Sequence, residues 1–138
     1  MIQPAPAPDA LIEAIRDFYA ALNRGDVAAV LAHFDADGAW VEEPPEFPPP
    51  GTYSGEALAA HLTETRETWA EGACEPEDFV PAGDRIVTLV HVRVRLKGNT
   101  EWNEGDIADV FTARDGRVIE VRTFADRARA LAWASADG

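Results

Sequence analysis

The sequence predicts an α+β domain in which N-terminal helices lie against an antiparallel sheet. Three observations carry that expectation. Apolar residues recur at helical spacing through the first half of the 138-residue chain. After "EGACEPED" the period falls to two, with Val92, Val94 and Leu96 alternating against Arg93, Arg95 and Lys97. The later strand-like runs are joined by short turn signals, "GN" at 98–99 and "RDG" at 114–116, so that neighbours pair as hairpins.

The Ala-Pro repeat at residues 4–8 predicts an extended arm over 1–8, and residues 9–138 read as one domain without internal repeat or linker. Helix one is expected from Asp9 to Asn23, with Leu11, Ile15, Phe18 and Leu22 on one face and Ile12 and Tyr19 beside them. Gly25 in "NRGD" is its stop, and Asp26 caps a second helix that carries Val27, Val30, Leu31 and Phe34 and stops at "DADG". A short strand, "AWVEE", follows and is ended by prolines. Ser54 is placed to cap a third helix with an inner face of Leu58, Leu62, Thr65 and Trp69. Strands are then expected at "RIVTLVHVRVRLK", near Trp102 to Ala113 and from Arg117 to Ala125, before a short helix from Asp126 to Ala134. Helices in this arrangement cover one face of the sheet, and a strongly curved sheet would wrap them and leave a concave apolar cavity.

Composition removes several classes of function. At 46% apolar and 27% charged, the chain has the make-up of a globular domain. A net charge of −13 repels phosphate backbones and anionic membranes, and strand alternation explains the basic run "HVRVRLK", so neither nucleic acid nor membrane is expected as a partner. Apolar runs such as "VAAVLA" and "IVTLV" are far too short to cross a bilayer. The opening "MIQPAPAPDA" has no positive n-region and no apolar h-region, which together with a single cysteine points to a cytoplasmic setting. That cysteine, Cys74, stands near Glu71, Glu75 and Glu77, whose charges disfavour a thiolate, so a structural thiol is expected. His91 shares an alternation face with Arg93 and Arg95 and is expected on the outer face, while His33 and His61 read as helix-face residues. Their spacing with carboxylates matches no metal motif, and no Gly-rich phosphate loop is present, so no metal and no other cofactor is expected.

The pieces "FYAALNRGDVAAVLAHFDADGAW", "GTYSG", "GDRIVTLVHVR" and "ADVFTARDGRVIEVRTFADRARAL" resemble the SnoaL-like branch of the NTF2-like superfamily over most of residues 9–133. The resemblance implies a cone of curved antiparallel sheet wrapped around the N-terminal helices, an internal apolar pocket, and a homodimer through the outer sheet face. The apolar Val87 and Leu89 beside His91 agree with that last feature. Ketosteroid isomerases, polyketide cyclases, dehydratases, epoxide hydrolases, ether-ring cyclases and non-catalytic binding modules all share this fold, which by itself does not choose among them.

Residue by residue, the resemblance to ketosteroid isomerases places a general base at Glu43, before Pro44, and a protonated hydrogen-bonding acid at Asp109 in "IADVF". The tyrosine those enzymes carry in helix one is matched by Phe18, with Tyr19 expected about a quarter-turn away. Glu42 is the alternative base, since adjacent strand residues face opposite ways. "EEPPEFPPPG" also resembles the epoxide hydrolases of the superfamily, but their arginine between two aspartates is missing, with Thr123 where one aspartate would stand and none in "LVHVRV". Ether-ring cyclases that work with two facing carboxylates remain compatible.

Chemistry then gives each residue a task. Asp109 shares a strand face with Ile107 and Phe111; if that face is buried, its carboxyl stays neutral and can donate to a developing oxyanion. The prolines at 44, 45, 48, 49 and 50 stiffen the loop behind the base. Phe18, Tyr19, Trp40, Tyr53, Trp69, Ile107, Phe111, Val121 and Thr123 are the expected lining of a site for a small hydrophobic molecule. The function expected is a cofactor-free enzyme for isomerisation, cyclisation or elimination of a small apolar carbonyl compound, polyketide-like or steroid-like. The alternatives are a non-catalytic binding module and an epoxide-opening ether-ring cyclase.

Overall fold

The structure, a computed structural model, describes residues 8–42 and 51–136. Helix α1 (Pro8–Asn23) opens on a proline, whose missing N–H costs nothing in a first turn. Its buried face is broad: Ile15, Phe18 and Tyr19 are all sealed, because the helix lies along the concave side of the sheet. Gly25, at φ +77°, ends it, and the Asp26 side chain accepts from the Ala29 amide to start α2 (Val27–Leu31), both as the sequence predicts. The second helix is shorter than expected. Phe34 already belongs to strand β1 (Phe34–Glu42), and "DADG" is a register shift inside that strand rather than a helix stop.

Strand β2 (Gly51–Ser54) pairs antiparallel with β1 and leads into α3 (Gly55–Glu67). Leu58 and Leu62 face inward as expected, but Ser54 makes no side-chain cap, Thr65 is exposed, and Trp69 has left the helix. Trp69 opens β3 (Trp69–Ala82), a strand the sequence conceals. Its fourteen residues hold two prolines and four acids with no alternation, a composition tolerated because β3 is an edge strand paired on one side only. The Asn23 amide both donates to the Cys74 carbonyl and accepts from its N–H, at 2.9 Å each, and so pins the end of α1 to this edge. Arg66 donates to the Leu22 and Asn23 carbonyls at 3.2 and 2.7 Å, satisfying acceptors at the C-terminus of α1.

Gly72 shows how tightly the edge is drawn in. It sits at φ +128°, and a Cβ there would lie 2.2 Å from the Arg93 carbonyl oxygen and 2.7 Å from the Val94 Cα. Backbone cannot swing aside, so Gly72→Ala should cost about 3 kcal/mol. The expected observation is a lower urea midpoint at an unchanged m-value.

Strands β4 (Arg85–Leu96), β5 (Trp102–Arg114) and β6 (Arg117–Phe124) form the predicted hairpins, the second through Asp115 and Gly116 at φ 55° and 79°. Helix α4 (Arg127–Ala136) closes the described chain. The sheet is curved and unclosed, in the order β2-β1-β6-β5-β4-β3. Two expectations change here. The sheet is mixed, because β1 joins β6 in parallel, a contact between distant parts of the chain that no hairpin signal marks. Helices also cover both faces: α4 folds onto the outer side, where Ala130 and Ala134 pack with Val87, Ala108, Val110 and Phe124. Val87 and Leu89 are therefore apolar because the chain's own last helix covers them, and they carry no argument for a dimer.

Candidate functional site

The inner face of the sheet carries a row of polar side chains that crosses four strands. Glu42 on β1 and Thr123 on β6 are register partners, Thr123 partners Asp109 on β5, and Asp109 partners Thr88 on β4. Strands lie about 4.8 Å apart, so the backbones bearing Glu42 and Asp109 stand about 10 Å apart with Thr123 between them. On either side of this row the sheet presents apolar residues to α1, among them Val121, Phe111, Ile86 and Val90.

Asp109 is 3% exposed and is held at both oxygens. Thr123 Oγ1 donates to Oδ1 at 2.6 Å, and the Tyr19 hydroxyl donates to Oδ2. Trp40 Nε1 donates in turn to Thr123 Oγ1 at 2.8 Å, so the indole fixes the hydroxyl that fixes the carboxyl. Burial raises the Asp109 carboxyl above its usual value; the two hydroxyls pull it down, and the charge of Glu42 pushes it up again. Burial also drives the Tyr19 phenol well above its ordinary value, with the Asp109 carboxylate adding to the effect, so Tyr19 stays a donor. Tyr19 is thus not turned away from the site. Phe18 and Tyr19 are about 100° apart on the helix, yet the buried face of α1 is wide enough for both. Phe18 packs edge-on against Phe111 at 5.1 Å, and Tyr19 supplies the hydroxyl.

The raised Asp109 value has a consequence for stability. A carboxyl that holds its proton more tightly when folded contributes stability that is complete below the unfolded value and is lost as pH rises through the folded one. Urea midpoints measured from about pH 4 to about pH 8 should fall for this reason, and Asp109→Asn should remove that component of the slope.

The second carboxylate on this face is Glu42. Its Oε1 lies 3.4 Å from His61 Nε2, reached from α3, and the two side chains are 21% and 25% exposed. The Tyr53 ring stacks on the His61 imidazole at 3.7 Å, with 4° between planes. Gly51 makes room for that stack, since a Cβ on it would meet the Tyr53 ring at 2.6–2.7 Å. Sequence reasoning placed His61 on an ordinary helix face, and the signal that would have found it, the pairing of β2 with β1 beside α3, is tertiary. Glu43 and the prolines after it lie outside the described residues.

The other expected lining residues divide. Ile107 is half-buried two residues from Asp109, whereas Phe18, Phe111 and Val121 are sealed in the core at 1% exposure or less. Trp69 is eight residues along β4 from the level of Thr88, opposite Leu96 and under the Arg66 guanidinium. It takes no part in the row. A cavity of about 320 Å³ among the described residues lies between the start of α1 and the β4 and β5 ends, lined by Leu11, Ala14, Arg85 and Ile86. It does not border Asp109.

Cys74 is a poor nucleophile, its thiol pushed up to about 12 by burial and then by Asp109, with Arg66 opposing. The sequence attributed that to the neighbouring glutamates, whereas burial dominates. His91 does lie on the outer face, where Nδ1 contacts Asp106 at 2.7 Å and Nε2 contacts Glu104 at 2.8 Å. Those bonds raise the His91 value and lower that of Asp106. Glu77, His91 and Asp106 bring ligand atoms within 4.8 Å of one another, but the Arg127 guanidinium already serves this group as its cation, 2.7 Å from Glu77 and 3.6 Å from Asp106. Among the described residues no helix is long and apolar enough to cross a membrane.

Comparison with known proteins agrees with this architecture. An NTF2-like protein from Burkholderia xenovorans LB400 is 32% identical, with 92% of this chain and 96% of that one covered at a TM-score of 0.68. A chain from Jannaschia sp. CCS1, classed as a SnoaL-like polyketide cyclase, is 16% identical, with 99% of each chain covered at a TM-score of 0.75. TerC, crystallised with polyporic acid, is 22% identical, with 91% and 98% covered at a TM-score of 0.73. A search of curated proteins returned no match. The family model of the SnoaL-like domain matches residues 15–121, and the chain belongs to that family.

Proposed function

We propose that the protein is a cofactor-free proton-transfer enzyme acting on a small, mostly apolar carbonyl compound, by isomerisation, cyclisation or elimination. The observation that carries this reading is the pair of carboxyl groups on one sheet face in contrasting surroundings. Asp109 is sealed and pushed toward its neutral form, while Glu42 stands at the more open end of the same row. Two titratable groups whose environments separate their protonation states divide the roles of acid and base. Asp109, with Tyr19 and Thr123 holding it, hydrogen-bonds the substrate oxygen where charge develops. Glu42 takes the proton from carbon. It replaces Glu43 as the preferred base because its register with Thr123 puts it on the inner face.

The SnoaL-like family and a neighbour classed as a polyketide cyclase support an isomerase or cyclase class. Composition supports a cytoplasmic setting. The test is a panel of β,γ-unsaturated ketones and β-hydroxy ketones followed by NMR for isomerisation, ring closure or loss of water. Glu42→Gln should lower the rate by about 10²- to 10⁴-fold, the range of a positioned general base, while Glu43→Gln leaves it near wild type. The reverse result would move the base to Glu43. Equal rates in all three proteins would favour a binding module.

A further inference from the structure

We infer that His61 is a proton-relay residue behind Glu42, so that a proton lifted from substrate leaves for solvent instead of returning to the same molecule. This rests on Glu42 being the base. Glu42 and His61 are 3.4 Å apart, at ion-pair distance, and their side chains retain 21% and 25% exposure. At the other end of the row Asp109 and Tyr19 are 3% and 2% exposed. The row therefore has a dry end, where oxygen is held, and a wet end, where a proton can be passed on. The imidazole also has little freedom to swing away from Glu42. Tyr53 lies flat against it, and that ring occupies space left open by the absent side chain of Gly51.

The step balances simply. The substrate C–H bond breaks, its electron pair moves into the conjugated carbonyl, and the proton goes to a Glu42 carboxylate oxygen. Glu42 then gives that proton to Nε2 of His61, the ring nitrogen 3.4 Å from it, in the tautomer that carries its hydrogen on Nδ1, forming an imidazolium. The imidazolium releases a proton to water, which restores ionised Glu42 and neutral His61. An internal proton shift needs no such exit, because its base must keep the proton for redelivery. In elimination or a dehydrative ring closure the hydroxyl departs as water, so the proton passed to solvent through His61 is balanced by one that the leaving hydroxide takes up, and the base has no proton to return to carbon. The geometry therefore favours those reactions within the proposed class.

The first measurement uses the wild-type protein, with a β-hydroxy ketone and a β,γ-unsaturated ketone, each deuterated at the acidic carbon and turned over in ordinary water. The expected result is loss of water from the β-hydroxy ketone, and from the unsaturated ketone a product that has lost its label to solvent. A product that keeps the label on the same molecule overturns the relay. The second measurement compares His61→Gln, which fills the site without titrating, with Glu42→Gln. His61→Gln should lower kcat about tenfold in dilute buffer and recover on addition of imidazole, since a mobile base replaces the relay. Wild-type kcat with no response to imidazole overturns the relay and leaves Glu42 as base. If Glu42→Gln is as active as wild type, or the wild-type protein is inert toward both ketones, the base assignment falls and the relay with it.

Discussion

Asp109→Asn should lower kcat by about 10²- to 10³-fold on any ketone the protein turns over, the loss that follows removal of one preorganised donor to an oxyanion. The amide keeps the shape of the side chain and both neighbouring hydroxyls, so little change in fold is expected. Its N–H is a weaker donor to a developing oxyanion than the carboxylic acid form toward which burial pushes Asp109. Tyr19→Phe removes the hydroxyl that donates to Oδ2 and should have a smaller effect, with the double variant close to Asp109→Asn alone. Residues that act as one unit are not additive, and steady-state kcat of the three variants checks this. Additive losses would mean that Tyr19 and Asp109 address different atoms of the substrate.

Phe111→Ala should destabilise the fold by about 3–5 kcal/mol, the usual cost of emptying a buried aromatic site. Phe111 has no exposed surface and meets the Phe18 and Tyr19 rings edge-on, with centroids 5.1 and 5.9 Å away. It stands two residues from Asp109 on the same strand face. The cavity would thus open directly beside the hydroxyl that holds Asp109. Loss of stability by urea denaturation should be accompanied by a drop in kcat, even at temperatures where the variant is folded. Phe124→Ala, which empties the cluster under α4 on the opposite face, should cost a similar amount while sparing kcat. The contrast separates support of the site from support of the fold.

Much of the architecture is legible in the residues. The α1 stop at Gly25, the Asp26 cap, the two C-terminal hairpins and the last helix are local events, written by spacing, φ preference and turn chemistry within a few residues. Period two puts Asp109 on one strand face with Ile107 and Phe111, but that this face is the buried one is decided by packing. What stays hidden is whatever depends on partners far along the chain. β3 carries no alternation because an edge strand has one paired side and one free side, and its prolines and acids suit the free one. The parallel union of β1 with β6 puts Glu42 on the inner face, and it joins residues about eighty positions apart.

Position on a helical wheel could not bring Tyr19 to Asp109, because the width of a buried face is decided by what wraps around the helix. Nor could it raise His61 above an ordinary helix-face residue, since Glu42 and Tyr53 reach it from two strands that meet beside α3 only after the sheet has formed. The sequence by itself determined most of the helices, the C-terminal strands and the turns. Only the tertiary structure decided which groups share a site, because the row from Glu42 to Thr88 runs perpendicular to the chain and exists only in the register between strands.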